Sequence, residues 1–221
     1  MGRIVTSGRG RASFTLRVFH TRSVRIWTIG HGTRSIDEFI AVLRDANVVT
    51  LADIRTYPGS RRHPQFGQAA LRTSLSAAGI AYMHLRALGG RREPRPDSPH
   101  TALRVDAFRG YADHMASPDF QREVGQLIAV ATATRTAYMC AETLWWRCHR
   151  RMLSDLLTVA DWEVIHLLGV GKSEPHRLWD VARVVDGTLV YDGGALTLEA
   201  AATRSAADDA DVGEDAEDDD E

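Results

Sequence analysis

Short apolar runs rich in β-branched residues alternate along this chain with stretches of helical spacing. No other feature constrains the fold as strongly. Ile26-Trp27-Thr28-Ile29 reads as a first strand ending at Gly30-His31-Gly32. Ser35 and Glu38 stand three apart, a capping box ahead of Phe39, Ile40 and Leu43 at helical spacing. Residues 48–52 form a second strand that ends at Asp53, and a helix from Gln68 stops at Gly79 before a third strand over residues 80–84. Helices are predicted over 106–115 and 120–130, a fourth strand over 136–139 leading into Cys140, a helix over about 148–160, and a fifth strand over 162–168. Val184-Val185 and Leu189-Val190-Tyr191 flank Asp186-Gly187 as a hairpin. The expected architecture is a single α/β domain with a mainly parallel sheet, helices on both faces in three layers, Rossmann-like, and a C-terminal hairpin.

The charge is unevenly spread over the 221 residues. Ten of the 29 acidic groups fall within residues 207–221, so the remaining 19 face 27 basic residues and the body carries about +8. Lys172 is the only lysine; every other basic residue is arginine, whose planar fork suits phosphate and carboxylate. The expected organisation is a basic arm at 1–24, an α/β domain at 25–193 and an acidic tail at 194–221, with arm and tail unpacked. No run of eighteen apolar residues exists, so no membrane span is expected. Two cysteines, Cys140 and Cys148, are too few for a disulfide framework; without a secretory signal they point to a reducing, cytoplasmic setting.

In sheets of this kind ligands sit beyond the carboxyl ends of the strands, and the polar clusters of this chain fall there. After the fourth strand come Cys140, Glu142, Cys148, His149 and Arg150. A thiol beside arginines and a helix start titrates low, so Cys140 or Cys148 is a candidate nucleophile, with Glu142 and His149 as acid and base. The alternative is two buried cysteines acting as small hydrophobes. After the second strand, Asp53 and Arg55 stand as an Asp-x-Arg pair, followed by Ser60, Arg61 and Arg62. They form either an anion clamp with Asp53 orienting a base, or a structural pair that ties down a loop. Gly30 lets backbone approach a ligand, and His31 is a proton shuttle or a hydrogen-bonded loop residue. Tyr82, Gly89 and Gly90, on the third strand and the loop beyond it, complete the expected binding rim.

Two other chemistries are set aside. Cys140, Cys148 and His149, with Glu142 or Asp53, offer metal-ligand types. Neighbouring residues on a helix diverge by about 100°, however, so Cys148 and His149 are not expected on one ion, and no metal or other cofactor is expected. Gly171-Lys172-Ser173 resembles the end of a phosphate-binding loop, but His166 stands where that loop needs its first glycine.

Six segments taken together are familiar: Ile29-Gly30-His31, Leu51-Ala52-Asp53-Ile54-Arg55, Ser60-Arg61 with Pro64-Gln65-Phe66, Leu88-Gly89-Gly90, Phe108-Arg109-Gly110-Tyr111-Ala112, and Cys140-Ala141-Glu142 with Trp145-Trp146-Arg147-Cys148-His149-Arg150. Over roughly residues 24–192 the chain resembles the family catalogued as domain of unknown function 488, in the branch carrying Trp-Trp-Arg-Cys-His-Arg. Gly32 stands where that family pattern has serine. The resemblance implies the α/β fold and a shared polar site, and supplies no substrate.

Two functions are carried forward. One is a thiol-dependent enzyme acting on an anionic, phosphate- or nucleotide-like small molecule. The other is a nucleic-acid- or nucleotide-binding module, resting on the basic body and on Tyr57, Phe66, Trp145 and Trp146 interleaved with arginines. The Asp-x-Arg strand end also resembles thiol-phosphatase and sulfurtransferase sites. Phosphatases need five residues between cysteine and arginine, whereas Cys140 and Arg147 are separated by six.

Overall fold

Thirteen helices and strands make up the computed structural model, which describes residues 24–59 and 61–194. In chain order these are β1 (Val24–Gly30), α1 (Ile36–Asp45), β2 (Thr50–Asp53), α2 (Gln68–Ala77), β3 (Ala81–His84), α3 (Asp106–His114), α4 (Pro118–Ala133), β4 (Thr136–Cys140), α5 (Arg150–Val159), β5 (Trp162–Gly169), β6 (Lys172–Pro175), β7 (Ala182–Val185) and β8 (Thr188–Tyr191). The basic arm, save Val24, and the acidic tail, save Gly194, lie outside the described residues, as does Ser60.

The strands form a six-stranded sheet in the order β3-β2-β4-β1-β5-β6, plus the β7-β8 hairpin. Five of the six are parallel and β6 runs antiparallel on β5. The expected mainly parallel α/β sheet with a C-terminal hairpin is therefore present. Its strand order differs from the standard doubly wound order, because β4 is inserted between β2 and β1. β6 is an unexpected strand. Its residues Lys172-Ser173-Glu174-Pro175 carry no apolar alternation, which an edge strand does not need. Gly171, at φ +66°, turns the chain into it. That turn is what the apparent phosphate-loop remnant builds.

Helix placement follows from crossover direction. The chain steps from β1 to β2 to β3 toward one edge, then returns to β4 and continues to β5, so right-handed crossovers put the two sets of helices on opposite faces. Phe39, Val42 and Leu43 of α1 and Leu71 and Leu75 of α2 pack with Trp27, Ile29, Leu51, Ala137 and Met139. On the other face Tyr111, Phe120, Leu127, Met152, Leu153 and Leu157 pack with Ile26, Ala52, Tyr138 and Val164, and the hairpin adds Leu189 and Tyr191. Each fully buried Leu or Phe contributes about 2 kcal/mol of transfer free energy. The Ser35–Glu38 capping box forms as expected, with both reciprocal hydrogen bonds. Among the described residues no helix is long and apolar enough to cross a membrane.

α5 begins at Arg150, two residues later than the sequence pattern suggested. Residues Trp145–Arg147 form a single 3₁₀ turn, and Cys148 is extended at φ −115°, ψ 148°. This short detour brings Cys148 back under the end of β4.

Candidate active site

β1 and β4 are neighbours whose crossovers leave in opposite directions, the kind of switch point beyond which open α/β sheets bind their ligands. The loop after β1 is stitched to the loop after β4: His31 N–H donates to Cys140 O at 3.0 Å, and Gly32 N–H to Ala141 O at 2.8 Å. Gly30 admits this approach. A Cβ there would lie 1.8 Å from the Glu142 carbonyl oxygen. Gly32 takes φ +53°, and a Cβ on it would lie 2.0 Å from Thr143 Oγ1, so glycine suits this position.

Beyond the end of β4 lies a sulfur–imidazole cluster. Cys140 Sγ lies 3.9 Å and Cys148 Sγ 3.7 Å from His149 Nδ1. The three donor atoms all lie within 4.8 Å of one another. Both cysteines are buried and unjoined. His149 is held by the Tyr111 ring, centroid to centroid 4.9 Å, and by Gly90, where a Cβ would come within 2.8 Å of Nδ1. Tyr111 is fixed in turn by its hydroxyl, which donates to Leu88 O. Burial raises the Cys148 thiol. The hydrogen bond from Cys140, and then His149 and Arg150, outweigh that and hold it well below the ordinary value. Donating that bond, together with burial, pushes the Cys140 thiol up. The two thiols titrate together, and Cys148 is the one whose ionised form the surroundings favour.

Arg150 braces the cluster from α5. Only 1% exposed, it donates to Thr28 Oγ1 at 3.3 Å and to Glu142 O at 2.5 Å. Those bonds commit it to the loops, and its effect on the thiols is long-range charge. Glu142, by contrast, is exposed, and its carboxylate accepts the Leu144 N–H at 2.9 Å. It lies outside the sulfur–imidazole group.

Asp53 and Arg55 form a buried two-pronged ion pair, Nε to Oδ1 at 2.9 Å and Nη2 to Oδ2 at 2.6 Å. Tyr82 hydroxyl adds a bond to Asp53 Oδ2 at 2.9 Å, and burial followed by the Asp53 charge pushes the Tyr82 phenol up. Arg55 also donates to Phe66 O, and its Nη1 stands 3.4 Å from His31 Nε2. Asp53 and Arg55 are thus tied to each other and to the loop at Phe66, and Arg55 also faces His31. His31 stacks on Phe66 at 4.2 Å, and burial lowers its pKa to about 4. Arg61 and Arg62 are exposed on the loop beyond. Gly89 abuts Thr56, whose hydroxyl donates to Gly90 O, so the second and third strand-end loops close against each other beside His149.

Helical periodicity places Cys148 and His149 as neighbours whose side chains diverge. Cys148 is extended and His149 is only the N-cap, so their side chains converge. Sequence reasoning also missed a second polar chain under α5. Asp155 Oδ1 accepts from His176 Nε2, and His176 Nδ1 meets His166 Nε2, both at 2.9 Å. Tyr191 hydroxyl donates to Asp155 Oδ2 at 3.0 Å. Trp145 stacks on His166 at 4.0 Å and donates its indole N–H to Glu174. The signal was a histidine alternating with Trp162 and Val164 on the inner face of β5. Burial, then His176 and Arg150, lower the His166 pKa from 6.5 to about 2. The unfolded chain therefore binds a proton there below 6.5 that the folded chain refuses. Stability from this group is full above that pH and falls by roughly 1 kcal/mol per pH unit below it. Stability measured by urea unfolding should fall between about pH 7 and about pH 5, and His166→Phe should lessen that fall while His31, also lowered by burial, keeps its own share.

The family model for a domain of unknown function, DUF488, matches residues 35–157, more than half of the chain. The chain belongs to the DUF488 family. The matched span holds Asp53, Arg55, Cys140, Glu142, Cys148, His149 and Arg150, while Gly30 and His31 precede it. No curated protein and no solved structure matches the chain. The DUF488 match itself names no chemistry.

Proposed function

We propose that the protein is a thiol-dependent enzyme acting on an anionic, phosphate- or nucleotide-like substrate, with Cys140, Cys148 and His149 as its reactive centre. The observation that carries the reading is the convergence of three donor atoms within 4.8 Å beyond the carboxyl end of β4. Cys148, whose ionised form its surroundings favour, is the nucleophile, and His149 with the exposed Glu142 is the acid–base pair. Arg61, Arg62 and the partial positive charge at the start of α5 favour an anion. A reducing cytoplasm suits two neighbouring cysteines that remain free.

The test is alkylation by iodoacetamide of reduced, chelator-treated protein, mapped by mass spectrometry. Cys148 should label about tenfold faster than free cysteine at neutral pH, and His149→Gln should slow it. Labelling of both cysteines at or below the free-cysteine rate removes the thiol reading.

One observation favours nucleic acid as the anion. Tyr57 is 67% exposed, and Arg86 lies over its ring at 5.2 Å on the loops that meet beside His149. An exposed aromatic with basic neighbours stacks single-stranded bases. Filter binding of oligonucleotides over a salt series separates the readings, since binding without turnover would persist in Cys148→Ser.

A further inference from the structure

We propose that Cys140 Sγ, Cys148 Sγ and His149 Nδ1 are the three protein ligands of a tetrahedral zinc-type metal site whose fourth position is open to water or to an oxygen of the substrate. This rests on the reading of the cluster as the reactive centre and gives that centre a cofactor.

The distances carry the argument. Zinc holds sulfur at about 2.3 Å and nitrogen at about 2.0 Å, so tetrahedral S and N ligands sit about 3.6 Å apart. The two sulfur–nitrogen separations here are 3.9 and 3.7 Å. The hydrogen bond between the two thiols leaves both sulfurs still facing one imidazole nitrogen. A single imidazole nitrogen has one in-plane lone pair, yet both sulfurs approach the same Nδ1 from a similar distance. A cation among the three satisfies all of them at once. Among the described residues His149 Nε2 is buried without a hydrogen-bond partner, which leaves Nδ1 as the ring nitrogen that faces the two sulfurs.

Ligand type and number narrow the ion and its role. Two thiolates and an imidazole form a soft set that selects zinc over magnesium or calcium. Among the described residues no further His, Cys, Asp or Glu belongs to the group. Structural zinc sites are closed by four protein ligands, whereas catalytic ones use three and keep a position for chemistry. The ligands are also held before any ion arrives, by Tyr111 and Gly90 on His149 and by the β4 end under Cys140. An ion bound there would polarise a substrate oxygen or activate water, with both sulfurs serving as ligands.

The experiment uses the full chain, without a polyhistidine tag, reduced and stripped with chelator, then titrated with Co²⁺ and with Zn²⁺ against a chromophoric chelator. One equivalent of Co²⁺ should give a sulfur-to-metal charge-transfer band with the intense visible bands of tetrahedral cobalt. Zn²⁺ should displace it and protect both cysteines from iodoacetamide. The acidic tail offers only oxygen ligands and gives no such band. Cys140→Ser and Cys148→Ser should abolish the band, and His149→Gln should weaken binding by more than about tenfold. Circular dichroism confirms that each variant is folded, and the wild-type cobalt spectrum tests the site even if one is not. Absence of the charge-transfer band, or a band unchanged in Cys148→Ser, overturns the metal site. Rapid alkylation of stripped protein together with no band would leave the thiol reading standing and sink the metal alone. Slow alkylation with a stoichiometric band would do the reverse to the nucleophile.

Discussion

Replacing Asp53 by alanine should lower the unfolding free energy by about 3–5 kcal/mol, because it leaves a buried guanidinium without its carboxylate. Asp53 is fully buried and Arg55 only 6% exposed, so water cannot take the place of the lost partner. The Tyr82 hydroxyl loses its acceptor in the same step. In a chain of this size the change corresponds to a fall in Tm of roughly 10 °C or more by thermal unfolding. Asp53→Ala combined with Arg55→Met should cost less than Asp53→Ala alone, since no charge is then stranded. A melting temperature within about 2 °C of wild type would mean that the pair is not buried as described.

Gly30→Ala should be comparably severe and more specific to the site. The new methyl would meet the Glu142 carbonyl oxygen at 1.8 Å and Arg150 Nη2 at 2.7 Å. One of these atoms is backbone, and Gly30 is registered opposite Cys140 in the sheet, so relief requires β1 and the β4 loop to separate. The expected cost is about 3 kcal/mol or more, above the usual range for overpacking because a flexible side chain cannot absorb it. Any folded remainder should lose the distinctive Cys148 alkylation rate, because the cysteine end of β4 is what moves. Gly125→Ala is the control. Nothing lies within 4 Å of a Cβ there, and alanine inside α4 should be neutral or stabilising by up to about 1 kcal/mol. Equal melting temperatures for the two variants would contradict the packing at Gly30.

Much of the fold was legible because the five parallel strands announce themselves as apolar runs with turn residues after each. What local sequence does not encode is their order. β4 enters between β2 and β1 through contacts distant in the chain, such as Trp27 with Ala137 and Leu51 with Ala137. β6 was invisible because Lys172 to Pro175 is polar on both sides, as an edge permits. At the site, Cys140, Cys148 and His149 were readable as chemistry-bearing residues, but their convergence was not. It depends on one extended residue, Cys148, where helical periodicity had been extrapolated two positions too far. The Asp155–His176–His166 chain was missed for a related reason. Its members come from α5, the segment after β6 and β5, and no local spacing joins them.

The place of β1 in the sheet bears on how the molecule reaches its native state. Its two ladders run to β4 and β5, pairing Trp27 with Ala137 and Val24 with Trp162, so this early segment finds its neighbours only among residues far downstream. Non-local pairing of this kind slows the search for the native topology. A chain emerging from the ribosome carries Val24–Gly30 with both ladder sides bare until β4 and β5 have been synthesised. During that interval a seven-residue strand lies open to chaperones or to misregistration with other nascent chains, and the thiol pair cannot assemble until that wait ends.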